Sequence, residues 1–274
     1  MMEVQLPGGL LKDGYIQRKA RFRHLTGRIE QSLIESAASL DRPAYVTAVL
    51  SQVLDAIGES EVDADIVSRL SVADRQYLML RLAALLNGEQ MWLKVDCGHC
   101  AAPFDVEIQR CHLPVKQAGD SFPGVSLQLG NWEIEARVPT GQDQERIAHT
   151  ADDEALRILL QQCICSVNGE SPHANFSRLL NEEEIKAIDE AMDEVAPAVC
   201  DRLLVTCPEC HTEQNALLDH YANIGLDEYF FYDEIHTLAS HYHWSEADIL
   251  DLPRSKRRRY LQLISRSSQS GAAG

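Results

Sequence analysis

Two Cys-x-x-Cys pairs, Cys97-Gly98-His99-Cys100 and Cys207-Pro208-Glu209-Cys210, constrain this chain more than any other feature. Short extended segments flank both: Met91–Asp96 and Pro103–Ile108 around the first, Arg202–Thr206 and Gln214–Leu218 around the second. Each pair is therefore expected at the turn of a β-hairpin, the arrangement of a zinc knuckle. Two knuckles supply four thiolates, and a tetrahedral sulfur set suits one structural Zn2+ bound by Cys97, Cys100, Cys207 and Cys210. An iron–sulfur centre and a vestigial site are the alternatives. A thioredoxin-like dithiol fits poorly, because the pairs lack its strand–helix context. Four thiolates leave no open position, so such an ion would not be catalytic. His99 and His211 occupy exposed knuckle positions and are expected as neighbours of the ion, not ligands.

If one ion takes all four sulfurs, residues 101–206 form an insertion whose ends meet at the metal. The crosslink then closes a very long loop and sets the middle of the chain against its C-terminal third. The other cysteines of the eight, Cys111, Cys163, Cys165 and Cys200, show no matching spacing. The N-terminus lacks the apolar core of an export signal, and 274 residues can build a core without staples, so reduced thiols are expected.

The remaining pattern is α+β: mainly helical, with short β-hairpins forming a split zinc-ribbon-like element and a mixed α/β insertion. Val4–Gly14 reads as a strand and a Gly-rich turn, followed by extended Ala20–His24. Helices are expected over Arg28–Ala38, from Pro43 to a stop at Gly58, and from a Ser71–Asp74 capping box to Asn87-Gly88. That last helix is apolar almost all round and is expected at the centre of the core. Within the insertion, Leu113–Gln117, Val125–Leu129 and Trp132–Val138 read as strands. Thr140–Asp143, Thr150–Asp153 and Asn181–Glu184 read as helix starts. The expected division is 1–96, an N-terminal strand, turn and helical region; 97–110 with 201–218, the two knuckle halves; 111–200, the insertion; 219–266, a helical docking region; and 267–274, a disordered tail.

Charge limits function. Forty-two acidic residues against 25 Lys and Arg give a net charge of -17, which opposes approach to a polyanion, so no direct nucleic-acid partner is expected. No stretch is long and apolar enough for membrane insertion. No phosphate loop, HExxH motif or nucleophile elbow occurs, and no enzyme is expected. His236, His241 and His243 are spaced too irregularly for a metal site and read as cap or contact residues. The C-terminal third concentrates aromatic and basic residues. One helical face cannot bury Tyr229, Phe230, Phe231 and Tyr232 together, so some of these rings should point outward. Tyr232 and Trp244, with the basic run at Arg254, Arg257 and Arg258, are the expected interface residues.

Several motifs carry a resemblance. Leu6-Pro7-Gly8-Gly9, Leu25–Arg28, Ala73–Leu82, Asn87-Gly88, Cys97–Cys100 and Arg137–Thr140 resemble the baseplate hub family of T-even-type bacteriophages, which also occurs in tail-derived contractile injection systems. His236–Leu250 with Leu252–Arg254 resembles a recurrent element of phage tail genes. The resemblance implies a structural protein of a contractile-tail baseplate, made in the cytoplasm of the producing bacterium, with other baseplate or hub proteins as partners. Its metal site varies, so the zinc ligands rest on the spacing in this sequence. The length of the middle insertion departs from the pattern. A tail assembly chaperone and a zinc-ribbon nucleic-acid-associated protein are the competing readings.

Overall fold

The computed structural model describes residues 2–36, 40–221 and 224–271, without the side chains of 152–153 and 267–271. Its first hairpin, β1 (Glu3–Lys12) and β2 (Tyr15–Phe22), is extended by β3 (Leu54–Ile57) and β4 (Ser60–Glu61) into an antiparallel sheet of order β1-β2-β3-β4. The register breaks between Gln5 and Leu10, around Leu6-Pro7-Gly8-Gly9. Gly9 has φ +101°, and a Cβ on Gly8 would lie 2.6 Å from the Asp74 carboxylate and 2.8 Å from Phe122. The close approach lets the amides of Gly8 and Gly9 donate to Asp74 at 2.8 and 2.9 Å. Only bare backbone reaches a buried carboxylate this way.

Helices α1 (Gly27–Ser36) and α2 (Arg42–Val53) lie between β2 and β3. The expected end of α1, at Ala38, falls outside the described residues. Asp41 caps α2 by accepting from the Ala44 amide, and Pro43 sits in the first turn as its chemistry favours. The helix does not continue to Gly58. It stops at Val53, because the open edge of β2 offers the next backbone groups strand partners, and Gly58 at φ +58° turns the chain into β4.

A short α3 (Ala64–Ser68) precedes α4 (Val72–Asn87), which starts at Ser71 and stops at Gly88, φ +88°. Half of the expected capping box forms: the Ser71 hydroxyl accepts from the Asp74 amide, but the Asp74 carboxylate is used on β1 and on that hydroxyl. Two cores explain why α4 is apolar on nearly every side. Leu78, Met79, Leu82 and Leu86 pack with Leu6, Phe22 and Leu50, while Leu80 joins Ile108, Leu113, Val199 and Leu218.

β5 (Gln90–Asp96) and β6 (Pro103–Gln109) are the first cysteine hairpin. Next come β7 (Val115–Lys116), β8 (Gly124–Leu129), β9 (Trp132–Arg137), α5 (Gly141–Ile147), α6 (Asp152–Cys163), β10 (Ile164–Val167) and α7 (Glu182–Val195). β8, β9 and β10 form a sheet of order β10-β9-β8 whose own core includes Ile134, Leu160, Ile164, Phe176, Ile188 and Met192. Full capping boxes start α5 at Thr140 and α7 at Asn181, as expected; α6 follows Ala151, inside the predicted start. β11 (Ala198–Val199) returns to pair with β7. β12 (Arg202–Thr206) and β13 (Glu213–Leu217) are the second cysteine hairpin.

The chain ends in α8 (Glu228–Tyr242), α9 (Glu246–Leu250) and α10 (Arg254–Gly271), around a small core of Phe231, Ile235, Leu238, Ile249 and Leu250. The segment expected as a tail from 267 begins inside α10, and 272–274 lie outside the described residues. Ten α-helices and five small antiparallel sheets, counted among the described residues, place the chain in the α+β class. No described helix is long and apolar enough to cross a membrane.

The expected basic surface stripe needs correction. Arg257 is fully buried, donating to both carboxylate oxygens of Glu30 in α1 at 2.9 Å. Arg254 is half-buried, 3.7 Å from Glu30, and donates to Asn87 and to the Gly225 carbonyl. The shared counter-charge lies 227 positions before Arg257, so no local pattern announces it.

Candidate metal centre

The two cysteine turns are built alike. In the first, the Cys97 amide donates to the Ala102 carbonyl at 3.0 Å and the Ala101 amide to the Cys97 carbonyl at 2.9 Å. In the second, the Cys207 amide donates to Thr212 and the His211 amide to Cys207, both at 3.0 Å. Ala101 and His211 take matching left-handed conformations, φ +57° and +58°. Val95 and Val205, each two residues before its cysteine pair, pack together with Ala216. The hairpins therefore face one another through equivalent positions.

That packing brings the sulfurs together across the hairpins. Cys97 Sγ is 3.6 Å from Cys210 Sγ, Cys100 Sγ is 3.7 Å from Cys207 Sγ, and all four lie within 4.8 Å of one another. A disulfide would require about 2.05 Å. A tetrahedron with the usual Zn–S length of about 2.3 Å has edges of about 3.8 Å. The cluster could hold one tetrahedral metal ion, and its donor chemistry suits zinc. Cys97 and Cys207 are buried, Cys210 is half-buried and Cys100 exposed, so the cluster sits at the edge of the fold.

The local electrostatics oppose four neutral thiols. Hydrogen bonding to Thr212, through its side chain and then its backbone, brings Cys210 down to about 5. Cys100 goes up to about 12 although the Ala102 amide favours its thiolate, because burial and the neighbouring sulfurs resist a further charge. A cation would reverse that resistance. His99 and His211 are exposed and lie outside the sulfur cluster. Sequence reading missed Gln214, whose side chain accepts from the Gly98 amide at 2.8 Å and donates to the Asp96 carbonyl at 3.1 Å. It stitches the second hairpin to the first beside the sulfurs, and nothing in its spacing signals this.

The other expected site residues separate. Tyr232 is 39% exposed, and Arg258 is exposed. Trp244 is half-buried, stacked 4.8 Å from Tyr242 and edge-on to Tyr260 at 4.9 Å. Arg254 and Arg257 belong to the interior network. Tyr229 and Phe230, 76% and 64% exposed, point outward further than Tyr232, so the adjacency of four aromatics predicted outward rings, while the two most exposed are not the Tyr232 and Trp244 that the sequence singles out.

The family model described as T4 bacteriophage base plate protein matches residues 4–224. The chain belongs to this family. The match spans the β1 bulge, α4, both cysteine hairpins and the insertion, and ends just before α8. No curated protein and no solved structure matches the chain. Membership in the base plate protein family makes this a structural phage baseplate component, working among other baseplate proteins, in a family typically without enzymatic activity. The His236–Arg254 element, quoted above for its likeness to phage tail genes, lies outside the matched residues.

Proposed function

We propose that this protein is a shape-keeping adaptor of the baseplate, associated with its hub, whose two hairpins form a split zinc-ribbon-like element around one structural zinc. The crossed sulfur pairs at 3.6 and 3.7 Å carry this reading, since they match a tetrahedral thiolate set and not disulfides. The segments 97–110 and 201–218 are the halves of the element, and 111–200 is the insertion it closes. Structural zinc sites bind with about 10–16 kcal/mol near neutral pH, comparable to the ~5–15 kcal/mol stability of a whole domain. An ion here would therefore decide whether the two halves stay in register while neighbouring subunits move. Neither a reaction nor a nucleic-acid role is assigned.

Metal analysis of protein purified without added zinc is expected to give about one zinc per chain. Cys207→Ser should lose the ion and lower stability, while serine at Cys111, Cys163, Cys165 or Cys200 should retain it. Intramolecular disulfides Cys97–Cys100 and Cys207–Cys210 in reduced protein would overturn the zinc reading. Mass spectrometry of purified particles tests the adaptor reading: the protein should be present in mature particles, and its absence would favour an assembly chaperone.

A further inference from the structure

The helices after residue 224 carry two exposed surfaces of opposite character. On α8, Phe231, Ile235 and Leu238 turn inward at spacings of four and three, which leaves Tyr229 and Phe230 on the outside. Their rings meet edge-on at 5.7 Å. Beside them Glu228, Tyr229, Tyr232, Asp233 and His236 line a shallow hollow, so the aromatic surface has an acidic rim.

On α10 the pattern is reversed. Lys256, Arg259 and Leu263 follow at spacings of three and four, which sets them on one helical face. All three are exposed, Leu263 by 42%. The inward members of the same run, Arg254 and Arg257, are paired with Glu30. Among the described residues no ion pair engages Lys256, Arg258 or Arg259. In a chain of net charge -17 this is the densest run of positive residues, and Leu263 lies one helical turn beyond it on the same face.

We propose that these surfaces join copies of this chain head to tail: the acid-rimmed aromatic face of α8 in one copy receives the basic outer face of α10 in the next. Charge complementarity selects the occupant. Glu228 and Asp233 answer Lys256 and Arg259, an arginine can lie over the Tyr229 or Phe230 ring, and Leu263 covers the apolar remainder. Because the joined patches differ, the contact is heterologous and leads to a ring or an open row. A contact this small, between copies that repel at long range, gives micromolar or weaker association.

Sedimentation velocity of the full chain, over a concentration series reaching the high-micromolar range, tests this. The expected result is association of the unmodified protein, and monomers for both Phe230→Asp and the double variant Lys256→Glu/Arg259→Glu. Mixing those two variants should form heterodimers that grow no further, because each retains one intact surface. Tyr229→Ser serves as a second aromatic variant should Phe230→Asp fail to fold. A monomeric unmodified protein, a mixture that stays monomeric, or association untouched by either change would overturn the proposal. Association lost with Phe230→Asp but kept in the double variant would replace it with a symmetric contact of two aromatic faces.

Discussion

Asp74 shows how one buried side chain can organise distant backbone. It is fully buried, and burial pushes its carboxyl upward against the hydrogen bonds from Ser71, Gly8 and Gly9. Replacing it with alanine leaves two amides without acceptors, at about 1–3 kcal/mol for each stranded group, measurable as a shift in urea midpoint. Gly8→Ala should destabilise by a similar amount, since the added Cβ falls 2.6 Å from Asp74, 2.8 Å from Phe122 and 2.9 Å from Pro197. His220 gives a pH-dependent test. Burial depresses it below its usual 6.5, although its hydrogen bond to the Cys200 carbonyl acts in the other direction. The unfolded chain then takes up a proton near pH 6.5 that the folded protein resists, so this contribution is held above 6.5 and lost as pH falls through the depressed value. His220→Asn should remove that part of the slope when urea midpoints are compared from pH 8 to about 5.

At the scale of elements, α8, α9 and α10 form a unit with its own apolar core, to which α1 contributes Ile34. Polar contacts supply much of the attachment: Arg257 to Glu30, Arg28 to Asp251, and the Gly27 amide to the Leu252 carbonyl. Burial raises the Glu30 carboxyl, while Arg257 and Arg254 pull it down. Glu30→Gln would leave Arg257 buried with a weakened counter-charge. Removing one member of a buried ion pair commonly costs about 3–5 kcal/mol, whereas replacing the pair with apolar side chains often costs little. Hydrogen exchange should show protection lost across α8–α10 in Glu30→Gln, with α4 and its sheet unchanged. The joint replacement Glu30→Met with Arg257→Leu should recover only part of that protection, because Arg254 and Glu234 each lose a partner as well.

For the whole molecule, the cysteine cluster is the point where 97–100 and 207–210 come together, so both ends of the long intervening segment meet there. Chelation with a strong zinc ligand is expected to increase hydrogen exchange in β5, β6, β12 and β13 more than in β1–β4, whose packing rests on a separate apolar core. Equal loosening of both regions would show that the cluster governs the entire fold and not the junction alone.

Local chemistry made part of this legible beforehand. Ser71, Thr140 and Asn181 start helices because a side chain and an amide three residues on are partners in any context. The cysteine hairpins were readable for a related reason: each turn closes over a few residues, and the two turns match. Tertiary structure alone decided the rest. Leu54–Ile57 became a strand because β2 presented an open edge, Asp74 left its helix cap to serve β1, and Arg257 went inside because Glu30 was waiting there. Backbone donors, buried charges and sheet edges are satisfied by whatever the fold brings near, across separations of 66 positions for Asp74 and 227 for Arg257 that no local pattern encodes.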